Sequence, residues 1–210
     1  MKIMHAQTIE PKSAGDQDLL LDTVRMQHLL HDVSDVRGKI ARMLSSGELI
    51  QLRRGLYANR PNIDARCLAG AIYGPSYVSF ETALAWHEMI PESVIECISA
   101  TTKRAANFEN AFGRFRYRHV PDEVYPVGIQ RVTESELPFL IASPTKALCD
   151  RIGLEAGFRS MADVARWLEG MRVDLETSLD KAELASCAAN YGGPAIRFLQ
   201  QFMLKKGLVK

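Results

Sequence analysis

A chain of 210 residues, 47% apolar and with a formal net charge of +1, can fill one large core or two small ones, yet exerts no global pull on nucleic acid, so any such role must rest on local clusters of charge. Cys67, Cys97, Cys149 and Cys187 are widely separated with no CxxC pair, which speaks against a zinc site or a disulfide framework and for small buried hydrophobes in a reducing cytosol. No apolar run reaches the length of a membrane span, and Met1-Lys2-Ile3-Met4-His5 lacks the apolar core of a signal peptide, so a soluble cytoplasmic protein is expected.

Residues up to about Gly15 are polar and carry Pro11, which predicts a loose arm or a short extended segment. From Asp16 to about His31 an amphipathic helix is expected, with Leu20, Val24, Met26, Leu29 and Leu30 supplying its apolar surface. The break at His31-Asp32-Val33 separates it from a second helix and gives a helix-turn-helix spacing. In that second helix Ser34 is the expected N-cap, Asp35 sits where the helix dipole favours an anion, and Gly47 suits a left-handed C-cap. Val36, Ile40, Met43 and Leu44 form its apolar stripe; Lys39, Arg42, Ser45 and Ser46 fall opposite, with Arg37 at the edge. Leu49 to Leu52 reads as a strand, Arg53-Arg54-Gly55 as a turn, and Leu56 to Ala58 as the return strand. A basic helix followed by a basic-tipped hairpin can enter a major groove while the tip grips phosphate, although the same pattern also describes a solvated helix face and an ordinary turn. A further helix before these two is not evident, and Asn62 to Tyr73, a helix capped by Asn62, is expected to supply the packing surface. Arg60-Pro61 marks a boundary between a domain of residues 1–60 and one of residues 61–210.

The second half opens with a turn at Gly74-Pro75, followed by a helix from Phe80 to about Met89 capped by Ser79. Ser93 to Ala100 is a strand candidate, Thr101 to Asn110 a polar loop, and Gly113 to Val120 a strand of strict period-two alternation. That strand would carry Phe115 and Tyr117 on one face and Arg114, Arg116 and Arg118 on the other. Val127–Val132 and Leu137–Ala142 read as a β-pair around Thr133-Glu134-Ser135-Glu136. Ser143-Pro144 signals a helix start, and three more helices are expected over Ser160–Met171, Asp180–Ala189 and Pro194–Lys205. The fold class is therefore α+β: an N-terminal winged helix-turn-helix, then a mixed domain with a small sheet and C-terminal helices.

Signatures of common chemistry are missing: no P-loop, GxGxxG, HExxH or GxSxG occurs, and neither catalytic residues nor a metal or cofactor are expected. His87-Glu88 lacks the second histidine of a metal motif and reads as structural. Arg114, Arg116 and Arg118, with Lys103 and Arg104 before them, make a candidate basic patch whose partner could be nucleic acid, an acidic protein or solvent. Ser99 to Lys103 could hold phosphate through its hydroxyls, as could many polar loops. With His119, these residues also leave open a C-terminal enzyme acting on RNA or nucleotides, although no carboxylate pair or nucleophile–base set accompanies them. A stand-alone regulator with a sensing second domain is a third reading.

A set of segments in fixed order then resembles AbiEi-type antitoxins. The first is Gly47-Glu48-Leu49-Ile50 with Arg54-Gly55-Leu56-Tyr57, similar to that family's GELIxLxRGLY. Next come Ile72 through Leu84, Ile90-Pro91-Glu92 and Thr101-Thr102-Lys103-Arg104. The stretches Phe112-Gly113-Arg114-Phe115 with Tyr117-Arg118-His119, Pro126-Val127-Gly128-Ile129, and Ile141 through Asp150 complete it. The resemblance covers roughly Ser34 to Asp150. It implies an antitoxin of a type IV toxin–antitoxin, abortive-infection phage-defence system: a winged helix that binds repeats in double-stranded operator DNA and represses its own operon, and a C-terminal domain that counteracts a nucleotidyltransferase-like toxin without requiring a stable complex. Carried to this chain, it makes Arg37, Lys39, Arg42, Ser45, Arg53 and Arg54 the expected DNA contacts and Lys103, Arg104, Arg114, Arg116 and Arg118 the expected antitoxin surface.

Overall fold

The computed structural model describes residues 19–175 and 179–209. It is an α+β protein whose described residues form eight helices and two sheets, divided into two compact units, Met1–Pro61 and Asn62–Lys210. The expected polar arm up to Gly15 lies outside the described residues, as does the beginning of the expected Asp16–His31 helix.

The first unit runs β1 (Leu20–Asp22), α1 (Thr23–Leu29), α2 (Val36–Ser46), β2 (Ile50–Arg53) and β3 (Leu56–Ala58), with the antiparallel strand order β1-β3-β2. The expected first helix is thus corrected: Leu20–Asp22 is a strand, because β3 has a free edge on which Leu20 pairs with Ala58, Leu21 with Tyr57 and Asp22 with Leu56. Asp22 then caps α1, accepting from the Arg25 amide at 2.8 Å. The cap of α2 is Asp35 rather than Ser34: its carboxylate accepts from the Gly38 amide at 2.9 Å and fills the space a Cβ on Gly38 would need. Gly47 closes the helix at φ +79°, as its position predicts. Leu21, Met26 and Leu49 form the core of this unit, with Leu30, Ile40, Met43, Leu44 and Tyr57 packed against them. No residue of α2 is fully buried, so it rests on that core by one stripe and leaves the rest of its circumference to solvent.

The second unit begins with α3 (Ala65–Ile72), β4 (Ser76–Val78), α4 (Phe80–Trp86), β5 (Glu96–Thr101), β6 (Ala106–Asn110) and β7 (Gly113–His119). It continues with β8 (Ile129–Val132), β9 (Phe139–Ala142), α5 (Pro144–Gly153), α6 (Met161–Gly170), α7 (Lys181–Asn190) and α8 (Pro194–Lys206). Its sheet has the order β6-β7-β5-β4-β9-β8, parallel at β5–β7 and β4–β9 and antiparallel elsewhere. Phe115 and Tyr117 are buried on one side of β7, as the alternation predicts, and Tyr117 donates to the Ala69 carbonyl of α3 at 2.7 Å. The expected Thr101–Asn110 loop is in part the strand β6, which pairs with β7 in the register Phe108 opposite Phe115. The helix placed at Asn62 starts at Ala65 under an Asp64 cap, since Asn62 has φ +66° and cannot open it. Likewise α4 stops at Trp86, short of Met89, and β5 starts three residues later than Ser93. Ser143 and Pro144 open α5 as expected, the hydroxyl accepting from the Lys146 amide at 3.0 Å. All four cysteines are free and buried, and among the described residues no helix is long and apolar enough to cross a membrane.

Candidate functional site

In the first unit, the residues from Val36 to Leu56 include five cations, Arg37, Lys39, Arg42, Arg53 and Arg54, against one carboxylate, Glu48. Glu48 is occupied locally by the Ser46 hydroxyl at 2.8 Å. Arg37, Arg42, Arg53 and Arg54 are exposed and Lys39 is half-buried. None of the five makes an ion pair among the described residues; the one contact of a guanidinium in this group is Arg53 donating to the neighbouring Arg54 carbonyl at 3.3 Å. Ser45, also expected to face a ligand, turns its hydroxyl back onto the Ala41 carbonyl at 3.0 Å. It stays exposed, but its donor is already used within the helix.

The hairpin is built so that both arginines sit at its tip. Ile50 lies opposite Ala58 and Gln51 opposite Tyr57, but Arg53 lies opposite Leu56, so β2 holds one more residue than β3. That bulge lets Leu52 bury itself while Arg53 stays outside. Gly55, at φ +77°, makes the turn. Thr23 donates to the Gly55 carbonyl at 3.2 Å and tethers the tip to the first turn of α1. This residue was not marked by the sequence pattern, since its partner is 32 residues away.

The cations expected on the second unit are arranged differently. Arg116 pairs with Glu96 at 2.9 Å and Arg114 lies 3.8 Å from Glu109. Arg118 lays its guanidinium 4.9 Å from the Phe80 ring centre. Lys103 donates to the Gly74 carbonyl and sits 5.3 Å from the Tyr73 ring. Arg104 is exposed, and its carbonyl accepts from the Tyr73 hydroxyl at 3.0 Å. The arginines of β7 do share one face, yet the neighbouring strands β5 and β6 bring carboxylates into register with them, so the face is mixed in sign. His87 is a structural residue, its Nε2 lying 2.8 Å from the Ala142 carbonyl, and Thr101 spends its hydroxyl on the Pro75 carbonyl at 2.8 Å.

A pocket of about 590 Å³ opens beside Ile95, with Ile90, Val94, Ile98 and Met171 as its apolar walls. Its carboxylates Glu81, Glu92 and Glu96 each pair with an arginine, Arg151, Arg172 and Arg116 respectively. Among the described residues no cluster of His, Cys, Asp and Glu could hold a metal ion. Deep in this unit, Asp150 of α5 gathers the hydroxyls of Tyr77 at 2.9 Å, Ser79 at 2.6 Å and Tyr191 at 2.5 Å, together with the Lys146 ammonium. Burial, then the Asp150 carboxylate, pushes the Tyr77 and Tyr191 phenols far above their ordinary range. The sequence signal for this cluster was a lysine and an aspartate four apart flanking Ala147-Leu148-Cys149, charges inside an apolar run.

No family model matches the chain, and no curated protein matches it.

Proposed function

We propose that the first unit is a winged helix-turn-helix that binds duplex DNA, with α2 as the reading helix and the Arg53-Arg54-Gly55 hairpin as the wing. The observation that supports this reading most directly is the contrast in how the two units treat their cations. On α2 and the hairpin the five side chains are left without acidic partners among the described residues, whereas on β7 cations meet carboxylates across the strands. Keeping like charges adjacent and unpaired costs stability, and a polyanion relieves that cost. In this reading Arg53 and Arg54 grip phosphate, and Arg37, Lys39 and Arg42 face base edges or the flanking backbone.

The order of segments shared with AbiEi-type antitoxins extends the proposal to the whole chain: an antitoxin that represses its own operon and counteracts a nucleotidyltransferase-like toxin through the second unit. Protection mapping on the DNA upstream of the protein's own gene tests the first half of the proposal. A protected repeat whose occupancy falls steeply with salt supports it, and no protection at low salt removes it. Rescue of cells from a nucleotidyltransferase-like toxin encoded beside the gene tests the second half.

A further inference from the structure

Thr23 stands where β1 gives way to α1. The β1–β3 ladder pairs Leu20 with Ala58, Leu21 with Tyr57 and Asp22 with Leu56, and there its backbone pairing ends. The Thr23 hydroxyl carries the ladder one residue further by donating to the Gly55 carbonyl. A Cβ on Gly55 would come within 2.6 Å of the Thr23 hydroxyl oxygen, so the hydroxyl sits where a side chain at position 55 would crowd it. One residue earlier, Asp22 is both the last residue of the strand and the cap of α1. A single turn of chain therefore ends a strand, starts a helix and ties down the hairpin tip.

We infer that Thr23 is the positioning residue of the cationic tip: it sets the direction in which Arg53 and Arg54 leave the sheet, without itself touching the ligand. The inference rests on the reading of the first unit as a duplex-binding module. Neither arginine is packed against the unit's core, both being exposed, and the Arg53 contact to the Arg54 carbonyl lies within the tip, so it does not tie the tip to the rest of the unit. Past the Asp22–Leu56 pair β1 no longer supports the hairpin and only its own two strands remain, and phosphate contacts fix register only when the donors are held in place. The branched Cβ of threonine restricts χ1 and so presents the hydroxyl in a narrow range of directions.

The test uses the full chain with Thr23→Val, which keeps the shape and removes the hydroxyl, and Thr23→Ser, which keeps the hydroxyl. The probes are a labelled duplex from immediately upstream of the protein's own gene and a scrambled duplex of equal length, titrated over a salt series. Amide hydrogen exchange across Arg54 to Tyr57 is followed in parallel. The expected result for Thr23→Val is a loss of roughly 2- to 10-fold in affinity for both duplexes and a salt slope reduced by about 1. Hairpin exchange should accelerate while the thermal midpoint stays close to wild type, and Thr23→Ser should restore affinity and slope. If Thr23→Val keeps wild-type affinity and slope while Arg53→Ala/Arg54→Ala lowers both, the positioning role is overturned and the duplex reading stands. If the wild-type chain binds neither duplex, the duplex reading falls and takes this inference with it, and faster exchange in Thr23→Val then marks the contact as purely structural.

Discussion

Lys146 and Asp150 lie one turn apart on α5, both sealed from solvent, and the lysine ammonium donates to the aspartate carboxylate. The pair is not alone: Tyr77, Ser79 and Tyr191 add three hydroxyl donors to the same carboxylate, and the rings of Tyr77 and Tyr191 lie 5.4 and 5.5 Å from the ammonium. The two members are therefore unequal. Asp150→Ala leaves a buried ammonium with no anion and three orphaned hydroxyls, and should destabilise the second unit by about 3–5 kcal/mol. Lys146→Met leaves an aspartate that still accepts three hydroxyls, and should cost less. Urea unfolding of both variants gives the order; an equal or reversed ranking would show that the hydroxyl donors do not support the carboxylate.

The same cluster should make stability fall at alkaline pH. Both Tyr77 and Tyr191 have folded-state affinities for the proton raised above the unfolded value, so they stabilise the fold fully below pH of about 10. Above that, the unfolded chain releases phenolic protons that the folded chain retains, and stability falls. Tyrosinate absorbance followed over an alkaline titration should therefore show Tyr77 and Tyr191 ionising only together with loss of helical circular dichroism. Complete and reversible ionisation with the circular dichroism intact would contradict the placement of these phenols.

How much of this could be read from the chain depended on whether the signal was local. Gly47 as a left-handed cap, Ser143-Pro144 as a helix start and the alternation through Phe115 and Tyr117 are each decided within a few residues, and each is found where its pattern puts it. The sequence of β1 reads as helix because Leu19-Leu20-Leu21 has no period of its own, and only the free edge of β3 makes Leu20–Asp22 a strand. The sequence of β6 reads as loop because its polar Asn107 and Glu109 dominate, although Ala106, Phe108 and Asn110 alternate with them on the partly buried side. The arginines of β7 read as a one-sign face for a related reason. Glu96 and Glu109 lie on other strands, and the register that brings them opposite Arg114 is invisible until the sheet is assembled.

That mixed face has a measurable consequence. The Arg116–Glu96 pair, with its arginine about half exposed, should show a coupling of under about 1 kcal/mol in a double-mutant cycle on stability. Phe115→Ala on the opposite side of the same strand should cost roughly 3–5 kcal/mol, because it empties a fully buried site. A large coupling beside a mild Phe115→Ala would mean that β7 is held by its charges rather than by its apolar side.

On the first unit the five cations have no acidic partner among the described residues, and under the proposed duplex binding their separate roles are distinguishable by salt. Arg53 and Arg54 project from a hairpin tip, a geometry suited to phosphate, so Arg53→Ala/Arg54→Ala should weaken upstream and scrambled duplexes alike. Each lost phosphate contact removes about 0.9 from the slope of log affinity against log salt, so the double variant should be shallower by about 2. Arg42 is exposed on α2, and in the proposed reading its guanidinium would make a bidentate contact to a base edge. Arg42→Ala should then cost about 1–3 kcal/mol on the upstream duplex and much less on the scrambled one. Equal losses on the two would make Arg42 a phosphate anchor, and an unchanged slope in the double variant would take the hairpin out of the interface altogether.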